Sequence, residues 1–111
     1  MVDGAASEII ATVTAWPGVE QARHRFGGIK FQLGKRELGH LHGDELADLP
    51  FTRKLRDELI ATGRARPHHI LPDTGWVSFP IDTRDDIQGA IALFRLSYDR
   101  ALTARTRADP G

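Results

Sequence analysis

Hydrophobic positions change their period twice along this chain. Between residues 5 and 16, Ile9, Val13 and Trp16 recur at helical spacing, with Ala6 and Ile10 beside them, and Pro17-Gly18 ends the run. This predicts a short amphipathic helix lying on a core. Between residues 19 and 42 the period becomes two, the alternation of strands that bury one face. Gly27-Gly28 and Gly34-Lys35 sit where two-residue turns would divide the stretch into three strands, and Gly34 supplies the positive φ such a turn needs first. Two tight hairpins would set Leu33 opposite Arg36, Phe31 opposite Leu38, Ile29 opposite His40, Phe26 opposite Ile29 and His24 opposite Phe31. One face then collects Ala22, His24, Phe26, Ile29, Phe31, Leu33, Leu38, His40 and His42. The other collects Gln21, Arg23, Arg25, Lys30, Gln32, Glu37 and Leu41. The expectation is a covered apolar face that carries histidines.

Residues 43–49 read as a loop. Asp48 is the expected N-cap of the next helix, with Pro50 in its first turn, where a missing N–H costs nothing. That helix runs to about residue 62, turns Phe51, Leu55 and Leu59 inward, and stops at Gly63. Residues 64–75 carry two prolines and several turn formers, and predict a fixed irregular connector. Residues 76–81 read as a strand with Pro80 near its end. Thr83 and Asp86 form a capping box for the longest helix, whose inward arc includes Ile87, Ala90, Ile91, Phe94, Tyr98 and Ala101. Past residue 103 the pattern stops. The expected organisation is one domain over residues 1–103 and a flexible tail over 104–111. The order α-β-β-β-α-β-α defines an α+β fold: an antiparallel sheet of about four strands with helices on one face.

Composition narrows the classes. The 111 residues fit a single domain, and a formal net charge of zero gives no bulk attraction to nucleic acid or an anionic membrane. The absence of cysteine excludes disulfides, thiolate chemistry and cysteine-ligated zinc. No apolar run approaches the roughly 20 residues of a membrane span, and the N-terminus lacks a basic-then-apolar signal pattern. A cytoplasmic protein is expected. Leu96, an isolated apolar residue on the polar side of the last helix, fits a monomer or a weak homodimer.

The candidate chemistry lies in two histidine pairs, His40-Leu41-His42 and His68-His69, which hold four of the five histidines. His40 and His42 are two apart on one strand, so both rings enter the same space. Three readings follow: a metal site completed by Asp44 or Asp73, a metal-free pocket in which imidazole moves a proton near neutral pH, or histidines satisfied inside the core. The metal-free pocket is favoured, with Phe31, Asp44, Arg66, Asp73 and Trp76 as candidate substrate contacts. The serines lie on elements rather than on a nucleophile elbow, and no glycine-rich phosphate loop is present.

Gly39-His40-Leu41-His42-Gly43, Ala47-Asp48-Leu49-Pro50-Phe51, the run from Gly63-Arg64-Ala65-Arg66-Pro67 through His68-His69-Ile70-Leu71-Pro72, Gly75-Trp76-Val77 and Leu96-Ser97-Tyr98 follow one another in an order that resembles the luciferase-domain family. These are small bacterial proteins sharing a domain with fungal luciferases, and the resemblance covers roughly residues 19–102. The fungal members are oxygenases that add dioxygen to a hydroxylated pyrone, with no metal or organic cofactor established for the step. The resemblance implies a pocket whose catalytic residues are His40, His42, His68 and His69. It also implies a cofactor-independent oxygenase, holding no metal, that acts on a small enol or phenol. The element order also resembles small α+β domains called double-wing, which supplies the alternative: a non-enzymatic ligand- or nucleic-acid-binding regulatory module using Arg23, Arg25 and Lys30. Zero net charge and the lack of interleaved aromatics argue against nucleic acid.

Overall fold

The computed structural model describes residues 2–24 and 27–108. Among these the order is α1 (Ala5–Val13), β1 (Val19–Arg23), β2 (Ile29–Leu33), β3 (Arg36–His42), β4 (Leu46–Pro50), α2 (Arg53–Ala61), β5 (Arg66–Pro67), β6 (Trp76–Pro80) and α3 (Arg84–Ala108). The strands form one sheet in the order β1-β2-β3-β4-β6-β5, with every neighbouring pair antiparallel. The α+β class and the antiparallel sheet agree with the sequence, but six strands replace the expected four. The additions are β4 and the two-residue β5. Leu46-Ala47-Asp48-Leu49-Pro50 has no β-branched residue and contains two poor strand formers, so tertiary pairing rather than local preference makes it a strand.

α1 and α3 pack on each other, and α3 crosses β3 and β4; α2 lies against β5 and β6. Ile9 and Val13 from α1, Phe31, Leu38, Leu41, Leu49 and Val77 from the sheet, and Leu93 and Phe94 from α3 are fully buried. Phe31 and Phe94 meet edge to face with centroids 5.2 Å apart, a favoured aromatic geometry. Tyr98 is buried and donates its hydroxyl to the carbonyl of Pro17 at 2.7 Å.

The β2–β3 hairpin begins in the expected register, with Leu33 opposite Arg36 and Gln32 opposite Glu37. It then slips. Phe31 faces Gly39, Lys30 faces His40 and Ile29 faces Leu41, so β3 holds one extra residue at Leu38. Such a bulge inverts the alternation beyond it. The expectation that His40 and His42 share the apolar face with Phe31 and Ile29 is therefore overturned. They point to the opposite face, and Leu41 takes the core position, 1% exposed. Gly39 makes the bulge possible. Its φ is +145°, and a Cβ there would lie 2.8 Å from Phe94 Cε1 and 2.7 Å from the Asp48 carbonyl oxygen.

The first hairpin is also wider than expected. Arg23 pairs with Ile29 and Gln21 with Phe31, so the connection spans residues 24–28 and Ala22 stands opposite Lys30. The expected pairings of Phe26, and the placement of Arg25 on the polar face, lie outside the described residues. Asp48 is not a helix cap; Thr52 is, accepting the Leu55 N–H at 3.1 Å. The Thr83/Asp86 box is present, with the Asp86 carboxylate accepting the N–H groups of Asp82 and Thr83 at 2.8 and 2.9 Å. α3 continues to Ala108, past the expected end at residue 103, because Ala104, Arg105 and Thr106 are compatible with a solvated helix even without an apolar stripe.

Candidate functional site

The sheet face opposite α3 carries one row of polar residues across five strands. Lys30 pairs with His40, His40 with Asp48, Asp48 with Ser78, and Ser78 with Arg66. Asp48 stands in the middle and is fully buried. Its Oδ1 accepts the Ser78 hydroxyl at 2.6 Å. Around Oδ2 lie four imidazole Nε2 atoms: His42 at 2.9 Å, His69 at 3.1 Å, His40 at 3.3 Å and His68 at 3.4 Å. β3 supplies two of these rings, and the connector after β5 supplies the other two.

Each ring has its own support. His40 Nδ1 is 2.8 Å from Glu37 Oε2, so the Nδ1 proton points at a carboxylate, while Nε2 faces Asp48 and is the nitrogen that gives up its proton when the ring becomes neutral. His68 is the reverse. Its Nδ1 accepts the backbone N–H groups of Ile70 and Leu71 at 3.1 and 3.0 Å, so the Nε2 of the neutral ring carries the proton, 3.4 Å from Asp48 Oδ2. His24 stacks on His40, with centroids 4.0 Å apart. Trp76 places its ring 5.5 Å from His40 and 5.9 Å from His68.

Protonation follows these contacts. Burial opposes charge on His40, but hydrogen bonds to Asp48 and Glu37 outweigh it and raise the pKa to about 9. Burial likewise opposes the Asp48 anion, yet bonds from His40, Ser78, His69 and His42 hold it well below the usual carboxylate range. His24 and His68 are pushed down, chiefly by burial, and neighbouring imidazoles add to the effect. One cluster thus holds rings driven in opposite directions, the pattern that separates acid from base roles in an active site.

Above the cluster is a pocket of about 340 Å³ lined by His24, His40, His42, Asp48, His68, His69, Ile70, Leu71 and Trp76. Ile70 and Leu71 are exposed and frame its mouth. The structure thus brings His40, His42, His68 and His69 together, and Trp76 joins them. Four other candidates do not line this pocket. Phe31 is in the core on the far side of the sheet, because of the bulge. The Asp44 carboxylate accepts the Ala6 N–H at 2.7 Å and holds the start of α1. Arg66 lies in a separate surface depression with Asp82 and Asp86. Asp73 is exposed in the connector.

Asp48 and Glu37 are site residues that the sequence did not reveal, and His24, grouped by alternation on one face with His40 and His42, was not expected to line the pocket. A signal for Asp48 exists: Gly43-Asp44 is a turn pair, and a hairpin there sets residues 46–50 beside the histidine strand. Glu37 carries no such signal, because the bulge sets its position relative to His40.

These features define a small α+β domain with a buried histidine–aspartate cluster under an open pocket. The Luciferase domain model matches residues 35–97, more than half of the chain, and the chain belongs to that family. The matched stretch contains every cluster residue described above except His24. No curated protein and no solved structure matches the chain. Among the described residues no helix is long and apolar enough to cross a membrane.

Proposed function

We propose that the chain is an oxygenase whose pocket binds a small enol or phenol and presents its anion to dioxygen. The observation that carries this is the convergence of four imidazole Nε2 atoms on the buried Asp48 carboxylate, beneath a mouth framed by Trp76, Ile70 and Leu71. The wall is aromatic and aliphatic and the floor is made of proton donors and acceptors, which suits a planar ring bearing an acidic O–H.

The roles follow from tautomers. His69 donates Nε2–H to Asp48, which leaves Nδ1 as its proton acceptor, the arrangement by which a carboxylate orients a general base. His68 is held with its proton on Nε2 and serves as a hydrogen-bond donor to developing negative charge. His69 takes the substrate O–H proton. The anion forms a C–O bond to dioxygen, its electron pair reduces dioxygen to the peroxide level, and His69 returns the proton to the terminal oxygen. The product is a hydroperoxide, and substrate plus one dioxygen balances it without an external reductant.

Oxygen uptake with hydroxypyrone and polyphenol substrates tests the proposal, comparing the natural chain with His68→Ala and His69→Ala. Loss of a general base costs about 10²–10⁴ in rate, so His69→Ala should fall into that range. Equal uptake by all three proteins refutes the assigned roles.

A further inference from the structure

We infer that His40 Nε2, His42 Nε2 and Asp48 Oδ2 form a binding site for one divalent first-row transition-metal ion. The first support is a count of acceptors. Four ring nitrogens lie within 3.4 Å of Asp48 Oδ2. One carboxylate oxygen offers about two lone-pair directions, and Oδ1 is already occupied by the Ser78 hydroxyl. Hydrogen bonding therefore cannot use all four rings at that oxygen. A cation at the same place uses the lone pairs of the remaining rings.

The second support is distance. The ligand atoms of His40, His42 and Asp48 lie within 4.8 Å of one another. His42 and His40 stand 2.9 and 3.3 Å from Asp48 Oδ2. Nitrogen and oxygen ligands sit roughly 2.0–2.2 Å from such a metal, so an ion between these three atoms needs only small side-chain movements.

The third is the tautomer pattern, which chooses among the possible trios. His40 gives its Nδ1 proton to Glu37, and a ligating histidine characteristically gives its second ring proton to a carboxylate in this way. Asp48, His68 and His69 also come close together. That trio fails as a ligand set because the two backbone N–H groups on His68 Nδ1 put its proton on Nε2. Two imidazoles and one carboxylate leave several coordination positions open toward the pocket, and this donor set suits iron, cobalt, nickel or zinc better than calcium or magnesium.

The site uses none of the atoms assigned to proton transfer. His69 and His68 stay outside the trio, and Asp48 Oδ2 has a second lone pair for the His69 N–H. The ion would supply positive charge beside the anion that the proposed reaction forms.

Cobalt(II) is the probe. Protein prepared without a histidine tag and stripped with a chelator is titrated with Co(II), followed by visible absorption and calorimetry. The expected result is one Co(II) per chain, with quenching of Trp76 fluorescence that Trp76→Phe removes. His42→Gln and Asp48→Asn should lose the binding. Asp48 is buried, so His42→Gln, whose ring is 33% exposed, is the arm least prone to misfolding. Glu37→Gln should weaken binding by about 10–100-fold through the lost outer contact, while His68→Ala should keep it. Failure of the natural chain to bind Co(II), or binding that His42→Gln and Asp48→Asn leave unchanged, overturns the site. Oxygen uptake that persists in a protein binding no Co(II) refutes the metal and spares the oxygenase. Tight Co(II) binding in a protein that consumes no oxygen does the reverse.

Discussion

Replacing Leu41 by alanine separates the two possible registers of the β2–β3 hairpin. With the bulge at Leu38, Leu41 faces α3 and is 1% exposed. Without it, Leu41 would stand on the outer face and a histidine would enter the core. A buried leucine cut to alanine loses its transfer free energy and leaves a cavity, about 2–5 kcal/mol together. Small domains have only about 5–15 kcal/mol in total, so this is a large fraction. The same change at a solvated strand position costs within about 0.5 kcal/mol. Leu38→Ala is the control, since Leu38 is buried in the structure and inward-facing in the simple register as well. Urea unfolding followed by far-ultraviolet circular dichroism gives both values. The expected outcome is a loss above about 2 kcal/mol for each variant. A loss below about 1 kcal/mol for Leu41→Ala, with Leu38→Ala clearly destabilised, refutes the bulge and the placement of both histidines that depends on it.

Three further outcomes are expected. Ser78→Ala removes the 2.6 Å donor to Asp48 Oδ1 and leaves a buried carboxylate oxygen short of a partner, so urea unfolding should show a loss of about 1–3 kcal/mol. Thr52→Ala should cost about 1 kcal/mol in the same assay by removing the α2 cap, and an unchanged midpoint would refute that capping contribution. Asp86 is held low by the backbone N–H groups of Asp82 and Thr83, so its folded pKa lies below its unfolded value. Its stabilisation is therefore full above the ordinary carboxylate pKa and is lost as pH falls through the folded value. The advantage of the natural chain over Asp86→Asn should be constant near neutrality and shrink below about pH 4.

The amphipathic helices were legible because their signals are local. Ile9 and Val13 give one period, Ile87, Ala90, Phe94 and Tyr98 another, and Thr83 with Asp86 a cap that does not depend on the rest of the chain. The two histidine pairs were visible as residues, and the family resemblance linked them. What the sequence concealed is non-local. A bulge of one residue at Leu38 reverses the face of everything after it in β3, and no alternation count predicts where the extra residue falls. β4 lacks strand-forming residues and exists because β3 and β6 flank it. Both errors pointed at the same place, since the bulge moved His40 and His42 to the face where β4 brings Asp48.

The position of Asp48 is hard to explain by stability alone. A carboxylate taken wholly out of water costs several kcal/mol before any partner returns it, and apolar side chains in such places are often as stable or more so. The neighbouring inward residues of β4, Ala47 and Leu49, show the alternative, since both are apolar and fully buried. On the Asp48 side the chain instead spends four imidazoles and a serine hydroxyl on one carboxylate, drawn from β3, β6 and the connector. Two of those imidazoles come from the connector, whose backbone also fixes the His68 tautomer through Ile70 and Leu71. If the cluster served only the fold, replacing His42 or His69 would lower the unfolding midpoint by removing a partner of the buried carboxylate and would change nothing else. If it serves a bound ion and an anionic substrate, the same substitutions should leave unfolding midpoints nearly intact while removing Co(II) from His42→Gln and oxygen uptake from His69→Ala. Measuring stability beside those two activities in each variant therefore decides between a structural and a functional reason for the buried charge.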